Sequence, residues 1–110
     1  MKKINLKDII RKINKNPWSP VDTARVNQQV VRMAYFKGEY QWHKHEHEDE
    51  LFYVYRGSIT IQIKKRPDIV LNKGELAVVS KKVEHCPKSE KGAYVLMFEP
   101  AVLKSRGNNI

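Results

Sequence analysis

The chain of 110 residues contains only one cysteine, Cys86. A single cysteine rules out an intramolecular disulfide and a zinc site built from two or more thiolates. No uninterrupted apolar run approaches the roughly 20 residues of a membrane-spanning helix. These absences predict a protein of the reducing cytoplasm without a membrane partner. The length suits one domain that buries its own core.

Acidic and aromatic residues are also scarce. The chain has 12 Asp and Glu against 21 Lys and Arg, a formal net charge of +9, and 9% aromatic residues. A basic chain can attract nucleic acid, but these lysines are spread along the sequence. No arginine-rich helix and no aromatic–basic stripe of the kind that stacks bases is present. The pattern therefore argues against a nucleic-acid partner.

The first 20 residues follow a different pattern from the rest. Residues 4–13 place apolar side chains at positions 6, 9, 10 and 13, the spacing of one helix face. The helix cannot pass Pro17 and Pro20, because proline removes a backbone donor and favours extended geometry in the preceding residue. We therefore predict a short helical arm over residues 1–20, anchored through Pro17, Trp18 and Pro20.

Beyond the prolines the sequence is typical of short strands separated by turn residues. Ser58–Ile63 alternates cleanly between isoleucine and polar residues, after a tight turn at Arg56-Gly57. Seven or eight strands at intervals of about 8 to 12 residues indicate an all-β sandwich or barrel. The predicted strands are 30–36, 40–45, 51–55, 58–63, 69–71, 76–79 and 93–98, with a polar turn after Cys86-Pro87 through Gly92. The predicted core is Ile59, Ile61, Ile63, Leu76, Val78 and Val95.

All four histidines lie in two short segments, with His43, His45 and His47 in the first and His85 about 40 residues downstream. Imidazole is the commonest neutral metal ligand, and alternate strand residues face the same side, about 7 Å apart at the backbone. His43 and His45 therefore form a preplaced pair. Glu50, after a turn, and His85, from a non-adjacent strand, are available to complete three histidines and one glutamate.

Such a donor set suits a divalent manganese, iron, cobalt, nickel or zinc ion. Asp49 is an alternative to Glu50, because a bulge would bring the neighbouring carboxylate to the metal. Ligand histidines must be neutral, so metal affinity should fall as the pH drops through about 6.5. If His43 and Glu50 point inward, strand parity gives the remaining pocket candidates. They are Gln41, Phe52 and Val54.

The spacing of these residues resembles the first cupin motif, a glycine, His-x-His, a glutamate and a second glycine seven residues later. The matching residues are Gly38, His43, His45, Glu50 and Gly57. The second cupin motif matches in part, as Gly74 followed eleven residues later by His85. Three residues depart from it: Ser80 and Lys82 replace the usual proline and glycine, and Ser89 replaces an asparagine.

Over most of residues 17–101 the chain is similar to small single-domain cupins labelled mannose-6-phosphate isomerase-like. The segments that carry this likeness are Trp42-His-Lys-His45, Asp49-Glu-Leu-Phe52, Val83-Glu-His-Cys-Pro87 and Glu99-Pro100. The resemblance implies a double-stranded β-helix, a jelly-roll barrel, with the metal inside its mouth, and commonly a homodimer. The expected domains are an N-terminal arm over 1–20, the cupin barrel over 21–100 and a surface tail over 101–110.

Cupins include isomerases, oxygenases, decarboxylases, sugar-binding regulators and storage proteins, so the family leaves the reaction open. We expect a small cytoplasmic cupin that binds one divalent metal ion and a small oxygenated metabolite. It would be a metal-dependent isomerase or a dioxygenase-type enzyme. The alternatives are a non-catalytic small-molecule sensor and a metal-free cupin.

The distance to Glu50 along the sequence also indicates which of two histidine pairs binds the metal. With His43 and His45, Glu50 follows after four residues, within the three or four of the cupin motif. With His45 and His47, only two residues precede Glu50. We therefore predict that His47 points to solvent from the acidic loop and does not bind the metal.

Overall fold

The helix predicted from the apolar positions forms as α1, Leu6–Ile13. The Asn5 side chain caps it by accepting a hydrogen bond from the backbone N–H of Lys7 at 3.0 Å. Asn14 ends it in left-handed geometry. The apolar face of α1 packs on one face of the sheet, in a cluster made of Ile9, Ile13, Met33, Tyr35 and Tyr94.

The computed structural model describes residues 1–103, in which seven antiparallel strands follow the helix. They are β1 Val21–Val26, β2 Gln29–Glu39, β3 Glu50–Arg56, β4 Ser58–Ile63, β5 Arg66–Asn72, β6 Leu76–Val79 and β7 His85–Pro100. One layer has the order β1-β2-β7-β3-β6, and the start of β7 pairs with β4, which pairs with β5. Because β7 belongs to both layers, they join into a jelly-roll barrel, and the predicted fold class is confirmed.

The turn at Gly57 joins strands of different layers. The predicted strands on its two sides form, but β3 pairs with β6 and β7, whereas β4 pairs with β5 and β7. Gly57 has a φ of +85°, and a Cβ there would lie 2.5 Å from the carbonyl oxygen of Gly92. Only glycine allows the chain to cross between layers this close to β7.

The predicted polar turn between Pro87 and Gly92 is wrong, because β7 runs without a break from His85 to Pro100. The Ser89 hydroxyl donates to the Ser58 carbonyl at 2.7 Å and accepts from the Gly92 N–H at 3.2 Å. Gly92 itself has a φ of +97°. The pairing of β2 with β7 shifts here from Phe36–Ala93 to Gly38–Ser89, so residues 90–92 form an irregularity inside a continuous strand, which their polarity alone made look like a turn.

The barrel interior is apolar, and its buried cluster includes four of the predicted core residues, Ile59, Ile61, Ile63 and Val95. The prediction for Leu76 and Val78 is wrong, since they are 56% and 52% exposed. Val79 is the β6 partner of buried Glu50 and faces inward with it. Leu76 and Val78 therefore occupy the outer face.

The arm and the tail both contact the barrel. The backbone N–H of Trp18 donates to the Tyr35 carbonyl at 2.9 Å. At the other end Leu103 is buried, although a surface tail was predicted from residue 101. Residues 104–110 of that tail lie outside the described part of the chain. The domain boundaries themselves stay a prediction.

Candidate metal centre

Two backbone hydrogen bonds bring distant histidines together. The N–H of His43 donates to the His85 carbonyl at 3.0 Å, and the N–H of His85 donates to the His43 carbonyl at 2.9 Å. The extended run predicted over residues 40–45 is reduced to this isolated bridge. The rings of His43 and His45 nevertheless lie 5.1 Å apart between centroids, and both are buried.

Glu50 opens β3 beside this bridge and completes the cluster. One ligand atom from each of His43, His45, Glu50 and His85 lies within 4.8 Å of the others, and all four residues are buried. His47 is exposed and stands outside the cluster, where the spacing argument places it. Asp49 is also exposed, and its side chain accepts from the Lys81 N–H at 2.8 Å.

Backbone carbonyls fix the tautomers of two imidazoles. Nδ1 of His43 lies 2.9 Å from the Gln41 carbonyl oxygen, and Nδ1 of His85 lies 2.8 Å from that of Val83. A carbonyl oxygen only accepts, so each Nδ1 carries the proton and donates. In the neutral form of each ring, Nε2 is thereby left with a lone pair, which is the form that binds a metal.

Three imidazole nitrogens of this cluster lack hydrogen-bond partners within the described residues. Both ring nitrogens of His45 and Nε2 of His85 are buried without a hydrogen bond. Oε1 of Glu50 lies 3.5 Å from His45 Nε2 and 3.8 Å from His85 Nε2, too far for good hydrogen bonds. Leaving buried polar atoms unpaired is costly. Ligands about 2.1 Å from a shared ion stand roughly 3 to 4 Å apart, so the four ligand atoms, which lie within 4.8 Å, need to draw in only slightly around an ion. The four residues fit a metal ion.

Sequence reasoning missed the residues that support Glu50. Glu99 is buried beside it, and its Oε2 accepts from Nη1 of Arg32 at 2.6 Å. The same guanidinium donates to Asp22 at 2.8 Å and to the Ala101 carbonyl at 3.1 Å. An acidic residue in the inward register of an otherwise apolar strand was the available signal for Glu99.

The carboxyl groups of Glu50 and Glu99 have different protonation states. Burial, reinforced by neighbouring Glu50, raises the pKa of Glu99 to about 9. Burial alone would raise the pKa of Glu50 too, but the facing groups of His45, His85 and Glu99 hold it below its usual range. In the metal-free protein Glu50 is therefore the carboxylate, and Glu99 is its protonated neighbour.

Burial also acts on His43. It lowers the pKa of this imidazole to about 4, against the opposing effect of the hydrogen bond to Gln41. The ring is thus neutral at physiological pH, as a metal ligand must be.

A small cavity of about 40 Å³ opens beside the cluster. Its walls are mostly apolar and consist of Trp18, Pro20, Arg32, Ala34, Phe36, Tyr40, His43, Glu50, Phe52, Pro87, Met97 and Glu99. Of the predicted pocket residues, Phe52 lines this cavity, whereas Gln41 and Val54 do not. Trp18 and Pro20 come from the arm, for which sequence reasoning gave only an anchoring role.

The fold is that of a known family. The model of the cupin domain matches residues 30–99, and the chain belongs to this family. The Bacillus subtilis (strain 168) protein YdbB, itself described as uncharacterised, is 38% identical over 66 residues. That alignment covers 60% of this chain and 58% of YdbB, so the chain spans less than two thirds of this relative.

Two solved structures extend the likeness to nearly the whole chain. A cupin-2 domain containing protein from Shewanella frigidimarina NCIMB 400 is 33% identical, with a TM-score of 0.83, covering 88% of this chain and 93% of its own. Protein NMB1881 from Neisseria meningitidis is 29% identical, with a TM-score of 0.82, covering 91% of this chain and 100% of its own. No helix in the described residues has the length and apolar character needed to cross a membrane.

Proposed function

We propose that this cupin binds one divalent metal ion through His43, His45, Glu50 and His85. The observation that carries the proposal is the set of buried imidazole nitrogens that have no hydrogen-bond partner in the described residues. Manganese, iron, cobalt, nickel and zinc all accept three imidazoles and a carboxylate. Glu99 and Arg32 contribute by holding Glu50 in place.

The ligand of this centre is a small oxygenated metabolite. A bound metal ion would act as a Lewis acid on an oxygen of that ligand. The walls of the cavity are mostly apolar, which lowers the local dielectric constant and strengthens electrostatic interactions at the metal. We propose a cytoplasmic enzyme of the isomerase or dioxygenase type, with a non-catalytic sensor as the alternative.

Elemental analysis tests the metal proposal. The protein is purified without an affinity tag, and its metal content is measured before and after dialysis against a chelator. We expect about one divalent ion per chain before chelation and its loss afterwards. Folded protein that neither contains a metal nor takes one up on titration would identify a metal-free cupin.

Ligand screening then separates enzyme from sensor. The metal-loaded protein is incubated with sugars, phosphosugars, oxoacids and, with dioxygen present, oxidisable substrates. Product formation that disappears in His45→Ala supports an enzyme. Tight binding without product, measured by calorimetry, supports the sensor.

We also propose a homodimer that forms through the outer face of the larger layer. Three apolar residues of β6 and β7 are exposed on this face: Leu76, Val78 and Phe98. Leu51 pairs with Val78 and Phe98 across the sheet. An apolar face this exposed is typical of an interface between copies.

Sedimentation velocity tests the dimer. Val78→Lys places a charge on the proposed interface and should give a monomer. Val70→Lys is the matched control, because Val70 is similarly exposed, at 61% against 52% for Val78, but lies on β5. A parent that sediments as a monomer at micromolar concentration would refute the dimer.

A further inference from the structure

Trp18 occupies an unusual position for a large side chain. Its φ is +59°, a left-handed conformation that bulky residues rarely adopt. Two hydrogen bonds at 2.9 Å hold it there: its backbone N–H donates to Tyr35, and its indole Nε1 donates to the Lys37 carbonyl. Trp18 lies before the part of the chain that matches the cupin family, residues 30–99. Strain fixed by specific contacts is a common property of ligand sites.

The indole forms part of the cavity wall beside the metal centre. Its ring lies 4.5 Å from that of Phe36 and stacks on Tyr40 at 4.8 Å between centroids. Tyr40 in turn meets His43 edge-on at 5.5 Å. Trp18 therefore connects to a metal-site histidine through one aromatic ring, and it also lines the cavity directly.

The size of the cavity limits its occupant. A volume of about 40 Å³ is small, since about 10 to 15 Å³ is already needed to hold a single water. Beyond the metal-site residues, the ionisable groups on its walls are Arg32 and Glu99, and these already bind each other. The cavity thus offers the ligand mostly apolar surface and little space.

We propose that Trp18 is the specificity-determining residue that restricts this site to compact chelating ligands. This inference rests on the proposed metal-binding function. The ligand class is a small molecule with two oxygen donors for the metal and a short apolar remainder. A ligand with the same donors and a bulky remainder is excluded because it would overlap the indole.

A pair of hydroxamates tests this selection, because acetohydroxamate and benzohydroxamate share donors and differ in bulk. Calorimetry on zinc-loaded parent protein should give at least about tenfold preference for acetohydroxamate, the scale on which pockets discriminate size. Trp18→Ala should reduce or reverse that ratio by about tenfold. The matched control is Trp42→Ala, because Trp42 is 45% exposed and does not line the cavity. An unchanged ratio in Trp18→Ala would overturn the proposal.

A second measurement needs no metal and separates the two proposals. Benzene is titrated into metal-free protein and followed by NMR chemical shifts. We expect no binding to the parent or to Trp42→Ala, and saturable binding to Trp18→Ala. Benzene binding equally to parent and variant overturns the role of Trp18 even if metal binding holds. If elemental analysis finds no metal, benzene selectivity still decides whether Trp18 limits the cavity.

Circular dichroism first establishes that Trp18→Ala folds. If it does not, Trp18→Phe retains an aromatic ring of smaller size and takes its place in both measurements. The change expected for Trp18→Phe has the same direction and a smaller amplitude. A folded Trp18→Phe with the size preference and benzene response of the parent would count against the proposal.

Discussion

At the residue scale, two backbone carbonyls determine which imidazole nitrogens can bind a metal. Gln41 and Val83 each accept from an Nδ1, so His43 and His85 present Nε2. In both cases the carbonyl belongs to the residue two positions earlier in the chain. The local chain path therefore preorganises these ligands before any metal arrives.

Burial changes the expected pH response of His43. Free histidine would protonate at about pH 6.5, but the pKa of His43 is lowered to about 4. Its neutral form therefore stabilises the metal-free fold fully above pH 6.5, and this contribution is lost as the pH falls towards 4. NMR titration of the ring should show no protonation of His43 at pH 5.5. Protonation near pH 6.5 would contradict the buried environment.

Lys82 has a strained backbone conformation beside the metal site. Its φ is +69°, and its N–H donates to the His45 carbonyl at 2.7 Å. This is the position at which the cupin motif usually has glycine. Left-handed geometry costs a lysine about 1–2 kcal/mol, while glycine loses about 0.5–1 kcal/mol of chain entropy.

Lys82→Gly should accordingly raise the free energy of unfolding by up to about 1 kcal/mol, measured by urea denaturation. Lys81→Gly is the matched control, because Lys81 does not have a positive φ, and it should not stabilise. Equal effects of the two substitutions would show that the strain at Lys82 is absent in solution.

Four of the important residues could be found from sequence, and three could not. The spacing along the sequence was enough to find the four metal-site residues, His43, His45, Glu50 and His85. Arg32, Glu99 and Trp18 lie on β2, on β7 and in the arm, and they meet only after the barrel closes. Glu99 carried one signal, its inward register in an apolar strand, but Arg32 and Trp18 are of types ordinary for a surface or a core, so their positions in three dimensions were needed.

At the scale of elements, the alternation of apolar and polar residues predicted where strands form, but not which strands pair with each other. β4 was predicted to the residue, since its isoleucines alternate with polar side chains. That β3 and β4 belong to different layers depends on the glycine contact between Gly57 and β7, which no local pattern encodes. Which side chains of β6 face inward could not be predicted either, because both faces of this strand carry apolar residues.

Gly57 and Gly74 have similar backbone geometry but different surroundings, so alanine substitutions at the two positions should differ in cost. Gly57 and Gly74 have φ values of +85° and +88°, but only at Gly57 would a Cβ meet neighbouring atoms. Gly74→Ala should cost about 1–2 kcal/mol for its conformation. Gly57→Ala should cost about 1–3 kcal/mol more, because the Cβ also forces β3 and β7 apart. Thermal and urea unfolding measure both. Equal losses would mean that the close approach of Gly57 to Gly92 is not formed.

At the scale of the whole molecule, the core adjoins the metal site but most of it lies elsewhere in the barrel. The core cluster contains twelve buried apolar residues and draws on β2 to β7. We therefore expect chelation to leave the far-UV circular dichroism spectrum unchanged. The melting temperature should fall only as far as the loss of the metal-binding free energy requires. Loss of cooperative unfolding on addition of chelator would show instead that the metal is structural.

The most direct test of the metal centre compares two histidines only two positions apart. Metal affinity is measured by competition with a chromogenic chelator for the parent, His45→Ala and His47→Ala. His47 is exposed outside the cluster, so His47→Ala should bind metal nearly as well as the parent. His45→Ala should lose about tenfold or more, the scale seen even when groups behind a ligand are removed. Equal loss in the two variants, or parent affinity in His45→Ala, would contradict the assignment of His43, His45, Glu50 and His85 as the metal site.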